Sequence, residues 1–165
     1  MVATLRLDTF ALMLSIVLWG TPLGGIAYSH LVYFPVYLSA LPDSAVLVRG
    51  RFALHEERFW LLIHPPAILS LVVSLVLNWK IRLRRKLIAI PLVVYVLAIV
   101  VTTLYFVPEL QNFRNSPTMS VSPAEWYARG QRWQYLSWTR GTIMGLSYVA
   151  LLLAMVAREN DATRG

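Results

Sequence analysis

Four side chains with ionisable chemistry lie within or directly beside apolar runs of this sequence: His30, His64, Glu109 and Arg140. An arginine inside a membrane span costs about 2.5–3.5 kcal/mol on insertion scales unless it pairs or reaches water, so such residues are candidates for function. We predict His64, Arg140 and Glu109 as catalytic residues. Arg140 would orient an anionic or carbonyl oxygen of a substrate, or would join two spans through an ion pair. The candidate partners in that ion pair are Glu109, Glu56 and Glu57.

The three histidines of the chain are candidate metal ligands. His30 and His64, from different helices, would form a site for iron, copper or zinc together with His55 and one carboxylate. Alternatively, His30 and His64 would be the two axial ligands of one haem. A histidine in a membrane also commonly hydrogen-bonds to a neighbouring helix. The sequence therefore leaves the cofactor unknown, with a His-ligated metal ion or one haem as the candidates.

Aromatic side chains accompany these groups at helical spacing. Tyr33 and Tyr37 follow His30 at positions i+3 and i+7, which places all three on one helical face. A second face carries Tyr95, Thr102, Tyr105 and Glu109. We predict that a lipophilic aromatic or quinone-like molecule is bound by Tyr33, Tyr37, Tyr105, Trp133 and Trp138.

The elements that carry these residues are apolar enough to lie in lipid. Hydrophobic residues make up 58% of the 165, and charged residues 14%, against about 25% in ordinary soluble domains. A hydrocarbon core of about 30 Å takes about 20 helical residues to cross. Four runs have that length: 9–30, 59–79, 87–107 and 133–157. We predict an all-α integral membrane four-helix bundle in the cell membrane, a single domain of residues 1–165, with a polar connection at 108–132.

Composition excludes several classes of chemistry. The chain has no cysteine, which excludes disulfides, iron–sulfur clusters and Cys-ligated zinc. It has no Gly-rich phosphate loop, nucleophile elbow or close-spaced metal motif. The net charge of +7 comes from cations at the ends of the spans, without a nucleic-acid-binding motif. We therefore expect membrane lipid as a partner and no nucleic acid.

The cations also predict a topology. The segment 80–86 contains five of them between the second and third spans, and the positive-inside tendency places this link in the cytoplasm. Four spans then place both termini there, in agreement with Arg6, Arg158 and Arg164. We expect the first apolar run to be retained as a span, because it is longer than the 7–15 apolar residues typical of a signal peptide.

Glycine and proline predict how the spans pack and bend. Gly20 and Gly24 in the first span, and Gly141 and Gly145 in the fourth, form small-residue stripes that let helices approach closely. His64 precedes Pro65-Pro66, so the second span is expected to begin or bend at His64 and to open a pocket toward the outside. Alternatively, the two prolines mark the first turn of a helix.

The run from Trp133 to Arg140, followed by small residues and a leucine-rich stretch, resembles the last span of the anthrone-oxygenase-like family of small four-helix membrane proteins. The segment 105–112 (YFVPELQN) also resembles the sequences of that family. The position of an asparagine in the family pattern is Ser137 here. The resemblance implies an outward-opening bundle and, in some members, oxygenation of polycyclic aromatic substrates, with Trp133 and Arg140 at the site.

Two functions follow as expectations. The first is a membrane-embedded oxidoreductase or oxygenase that acts on a lipophilic molecule in an outward-facing pocket. The second is a non-catalytic subunit or scaffold that packs against a partner membrane protein or forms a homo-oligomer. Transport is disfavoured, because the inner half of the spans has few polar residues to line a path.

Overall fold

The computed structural model describes residues 6–157, so Arg158 and Arg164 of the topology prediction lie outside the described residues. Four long helices account for most of this part of the chain. They are α1 (Leu7–Tyr37), α2 (Glu56–Leu77), α3 (Arg82–Thr118) and α4 (Pro123–Val156). Asp43–Val48 form a 3₁₀ turn in the connection between α1 and α2, and residues 6–157 contain no β-strand.

All four helices are long and apolar enough to cross a membrane, which confirms the prediction of four helical spans. Their outward faces are apolar, as shown by Leu62 and Leu104, each 76% exposed. Such faces suit contact with lipid tails better than contact with water. The predicted polar connection at 108–132 is largely helical, since α3 and α4 continue through most of it and only residues 119–122 lie between them.

A polar cluster joins the ends of all four helices. The Asn78 side chain donates hydrogen bonds to the backbone oxygens of Asp8 (3.2 Å) and Ser74 (2.9 Å). Arg84 lies 3.6 Å from the Asp8 carboxylate and donates to the backbone oxygen of Ala157 at 3.1 Å. The start of α1 and the end of α4 therefore lie together with the α2–α3 link. We call this the terminal end of the bundle, and the opposite end the loop end.

Two of the helices contain a π-helical turn, at Ser29–Tyr33 in α1 and at Thr102–Phe106 in α3. Each turn ends two residues before a proline, Pro35 or Pro108. Proline has no N–H to donate and its ring crowds the carbonyl four residues earlier. A π turn adds one residue to the turn, which changes the side-chain register of everything that follows.

The buried side chains form two clusters with a gap between them. The cluster toward the terminal end includes Leu12, Trp19, Leu71, Tyr95 and Leu151. The cluster toward the loop end packs the short α1–α2 connection against the extended helices, through residues such as Tyr37, Phe106, Phe113, Trp126 and Trp133. The gap between the clusters lies in the loop-end half of the bundle.

The second helix begins at Glu56 and stays α-helical through Pro65 and Pro66, so the expected start at His64 is wrong. Packing outweighs the local preference of a residue before proline for extended backbone. His64 Nδ1 is hydrogen-bonded to the Tyr95 hydroxyl at 2.7 Å, and its ring stacks on Trp60 with centroids 5.7 Å apart. Neither proline lies in the first turn, so the alternative interpretation is also wrong.

The small-residue stripes are used only in part. A Cβ on Gly20 would lie 3.2 Å from the Tyr148 hydroxyl, and one on Gly141 would lie 3.1 Å from Ile26, so both glycines mark close contacts between α1 and α4. Gly24 and Gly145 have open space around them. The tightest contact is at Gly25, which the sequence did not single out and which lies against Phe59 of α2.

Candidate functional site

A cavity of about 550 Å³ occupies the gap between the two buried clusters. All four helices and the α1–α2 connection contribute to its walls. Most of the lining is aromatic or aliphatic, and it includes Tyr33, Phe34, Trp60, Phe106 and Trp133. Ionisable groups at the cavity include His30, His64, Glu56 and Arg140. A volume of this size, with few polar groups in apolar walls, is typical of a site for a small organic molecule.

The face of α3 that lines the cavity differs in part from the predicted one. Tyr95 and Thr102 line the cavity as expected, whereas Tyr105 and Glu109 do not. The lining residues after Thr102 are Thr103, Phe106, Val107, Leu110, Gln111 and Arg114. The π turn at Thr102–Phe106 contains one extra residue, which changes the register of the residues after it.

Arg140 is held in the cavity wall by neutral groups. One terminal nitrogen donates to the Thr102 hydroxyl, and the other donates to the Ser137 hydroxyl at 3.0 Å. The guanidinium carbon lies 4.0 Å from the centre of the Phe106 ring, which is a cation–π contact. The Arg140 Nε atom is buried and has no hydrogen-bond partner among the described residues.

None of the carboxylates predicted to pair with Arg140 does so. Glu109 instead accepts two hydrogen bonds of 2.6 Å from Arg129. Glu56 lines the cavity but accepts from Ser29 at 2.9 Å, and Glu57 is hydrogen-bonded to His55 at 2.7 Å. Across residues 6–157, no carboxylate oxygen lies within 4 Å of Arg140 to form a salt bridge.

His30 is connected to Arg140 through one shared hydroxyl. His30 Nε2 lies 2.8 Å from the Ser137 Oγ that accepts from Arg140. The histidine is 3% exposed, and its Nδ1 atom has no hydrogen-bond partner in the described part of the chain. Its ring lies between those of Phe34 and Trp138, with centroids 5.3 and 4.9 Å away. These contacts fix the imidazole plane at the cavity wall.

A second histidine hydrogen bond lies on the opposite side of the bundle. His64 of α2 is joined to the hydroxyl of Tyr95, which is fully buried on α3. The Tyr95 ring also packs edge-on against Trp19, with centroids 4.1 Å apart. Both His64 and Tyr95 line the cavity. A histidine and a phenol in contact can pass a proton between them and a bound molecule.

The structure separates the predicted site residues into two groups. Those that line the cavity are His30, Tyr33, Tyr37, His64, Trp133 and Arg140. Those that do not are His55, Glu109, Tyr105 and Trp138. The Trp138 ring contacts the His30 ring, with centroids 4.9 Å apart, without lining the cavity itself. His55 is exposed in the α1–α2 connection beside Glu57.

The predicted metal set does not come together. His55 is not a cavity residue, and His30 and His64 are hydrogen-bonded to hydroxyls of two different helices. Within residues 6–157 no three side chains of His, Cys, Asp or Glu are grouped so that they could hold a metal ion. The metal or haem remains a prediction from the sequence that this arrangement does not support.

Sequence reasoning missed several lining residues. Ser137 was noted only as a departure from a family pattern, although it connects Arg140 to His30. Phe106 and Leu110 were also missed, because only polar and tyrosine side chains of α3 were singled out. The signal that could have revealed them is spacing, since Phe106 follows Thr102 at i+4 and Leu110 follows Phe106 at i+4.

Comparison with known proteins gives no relative: no family model, no curated protein and no solved structure matches this chain. The resemblance to the anthrone-oxygenase-like family is therefore neither supported nor opposed by a match. Function has to be argued from the cavity itself.

Proposed function

We propose that this protein is a multi-pass cell-membrane protein that binds a lipophilic aromatic or quinone-like molecule in the cavity between its four helices. The observation that carries the proposal is the aromatic cavity of about 550 Å³ with Arg140, His30 and His64 in its wall. An apolar molecule of two or three fused rings suits such a volume. Its polar oxygen would lie toward the ionisable groups.

The route of entry follows from which lining residues are exposed. Leu61 of α2 is 73% exposed and Val107 of α3 is 41% exposed, and both line the cavity together with the exposed Thr103. Side chains that face both the cavity and the surroundings mark an opening between α2 and α3. Because two of these three are aliphatic, we place this opening against lipid, so that the molecule enters from the membrane.

The charges favour an outward-facing cavity. The five cations of segment 80–86 lie at the terminal end, which the positive-inside tendency places in the cytoplasm. The loop end, and with it the cavity, then lies in the outer half of the membrane. Both termini are cytoplasmic in this arrangement.

The role we propose for this site is that of an oxidoreductase or oxygenase-like protein in which the chain's own side chains bind and orient the substrate. Aromatic walls would hold flat rings by stacking. Arg140 would stabilise negative charge on a substrate oxygen, and His64 with Tyr95 would exchange a proton with it. The proposal assigns no step to a metal, in keeping with the absence of a ligand cluster in residues 6–157.

Adjacent residues of α3 provide a matched test. Thr103 and Leu104 are both exposed, but only Thr103 lines the cavity. We expect Thr103→Phe to fill the opening and to weaken the binding of naphthoquinone to the protein in lipid nanodiscs by about tenfold or more. A tenfold loss of affinity corresponds to about 1.4 kcal/mol of binding free energy. Leu104→Phe should leave binding unchanged. Isothermal titration calorimetry measures both.

Either of two results would remove the proposal: wild-type protein that shows no saturable binding of naphthoquinone, or equal loss of binding in the two variants. Thermal unfolding of each variant in the same nanodiscs controls for damage to the fold. The alternative expectation, a non-catalytic subunit, stays a prediction. It requires that the chain be isolated from native membranes together with a partner.

A further inference from the structure

Arg140 carries a charge for which the described residues provide no counterion. Its two hydrogen-bonded partners are the hydroxyls of Thr102 and Ser137, and its third contact is the Phe106 ring. These groups lower the cost of burying the guanidinium but leave its charge uncompensated. In a low-dielectric interior such a charge interacts strongly with any anion that comes close.

The carboxylates that could serve as a counterion of Arg140 already bind other groups. Arg129 binds both oxygens of Glu109, and Ser29 donates to Glu56. Asp8 lies at the terminal end beside Arg84. A rearrangement that gave Arg140 one of these partners would break an existing interaction. Arg140 therefore has no carboxylate within 4 Å among residues 6–157, and the same holds for Arg114, the second arginine that lines the cavity.

Arg140 and His30 each have one buried nitrogen atom that lacks a hydrogen-bond partner among residues 6–157: Arg140 Nε and His30 Nδ1. Buried polar atoms are nearly always hydrogen-bonded, so each exception calls for an explanation. Ser137 Oγ accepts from Arg140, and we assign its single proton to the bond with His30 Nε2. The neutral imidazole then carries its proton on Nδ1, so both unpartnered atoms are donors.

We propose that the cavity selects lipophilic organic anions whose charge is on oxygen, with the anionic oxygen bound at Arg140 and His30. This inference rests on the proposed function, because it names the charge state of the molecule that the cavity binds. A lining guanidinium with no carboxylate within 4 Å among residues 6–157 matches a carboxylate or an ionised ring hydroxyl, whose oxygens are acceptors only. The aromatic walls match the apolar body of the same molecule.

A neutral quinone should bind to this site less tightly than an anion. A carbonyl oxygen can accept hydrogen bonds from Arg140 and His30, but it leaves the charge of the guanidinium uncompensated. An anionic oxygen adds Coulomb attraction to the guanidinium, which is strong in a low-dielectric cavity and which a neutral carbonyl lacks. The cavity should therefore prefer the anion to a neutral molecule of the same shape.

The test compares naphthoquinone with hydroxynaphthoquinone, which is ionised at neutral pH and has nearly the same shape. Binding of both to the full chain in nanodiscs is measured by isothermal titration calorimetry. We expect the wild-type protein to bind the anion about tenfold more tightly than the neutral quinone, or better. Arg140→Gln should remove this preference and change the affinity for naphthoquinone by less than about threefold. Arg140→Lys should keep part of the preference.

Arg132→Gln is the matched control, since Arg132 is an exposed cation of the same helix that does not line the cavity. Its anion preference should equal that of the wild type. Equal affinities of wild-type protein for the two molecules would overturn the inference while leaving the proposed function intact, and so would a preference that survives in Arg140→Gln. Absence of binding for both molecules would overturn the proposed function. If Arg140→Gln does not fold, Arg140→Lys and the wild-type preference decide the outcome.

Discussion

At the scale of single residues, each ionisable side chain in the cavity wall has a different kind of partner. His64 has a buried phenol, His30 a serine hydroxyl, and Arg140 two hydroxyls and an aromatic ring. Glu109, which the sequence placed in the same group, is neutralised by Arg129 outside the cavity. The functional argument therefore depends on Arg140 and the two histidines rather than on an acid–base pair of carboxylates.

Replacing Tyr95 by Phe tests the His64 hydrogen bond. We expect Tyr95→Phe to destabilise the bundle by about 1–3 kcal/mol, because it removes the hydrogen-bond partner of the half-buried His64. Tyr135→Phe is the matched control, since Tyr135 is 71% exposed. Both are compared by thermal unfolding in one detergent. Equal midpoints for the two variants would show that the hydrogen bond makes no net contribution.

At the scale of the helices, both π turns lie at the cavity and contribute lining residues, among them His30 in α1 and Thr102 and Phe106 in α3. On α1 the predicted face of His30, Tyr33 and Tyr37 lines the cavity in spite of the π turn. The prolines that follow the π turns have no backbone N–H, so they could not have donated a regular helical hydrogen bond in any case. Helix contacts around glycine then set how closely α1 approaches its neighbours.

Adjacent glycines of α1 test that contact. A Cβ on Gly25 would lie 2.6 Å from the Phe59 ring and 3.1 Å from Trp60, whereas a Cβ on Gly24 would meet nothing within 4 Å. The gain in helix propensity is the same for both substitutions, about 1 kcal/mol. Gly25→Ala should therefore be less stable than Gly24→Ala by about 1–3 kcal/mol, the usual cost of overpacking. Thermal unfolding in detergent measures the difference, and equal stability would show that Phe59 moves aside freely.

At the scale of the whole molecule, the two ends of the bundle are closed differently. The terminal end is closed by the cluster of Asp8, Asn78, Arg84 and Ala157, which draws on all four helices. The loop end is closed by an aromatic cluster around Trp126 and Trp133. Between these two closures the helices are held apart enough to leave the cavity. We infer that the terminal cluster maintains the arrangement on which the cavity depends.

Arg84→Gln tests this inference. Arg84 bonds to Asp8, Asn78 and the backbone of Ala157, so its loss should lower the stability of the bundle by about 1–3 kcal/mol. Arg82→Gln removes the same charge from an exposed position of the same turn and should have little effect. Thermal unfolding compares the two variants. If Arg82→Gln is as destabilising as Arg84→Gln, the loss of stability comes from the change in net charge, and the terminal cluster does not hold the helices together.

The sequence by itself determined the number of helical spans and the segment where the cations cluster. It did so because the length of an apolar run and the position of charges need no knowledge of neighbours. It also pointed to His30, His64 and Arg140, since an ionisable group in an apolar run is costly wherever the helices lie. It could not determine which faces meet, because helices that are apolar all round show no amphipathic face.

The tertiary structure decided the remaining features. It showed that Phe106 and Leu110 of α3 line the cavity, whereas the predicted Tyr105 and Glu109 do not. Contact distances showed that Glu109 binds Arg129, although the sequence offered Glu109, Glu56 and Glu57 as partners of Arg140. Partner choice and register both depend on where separate helices come together in space, and that information is not local in the chain.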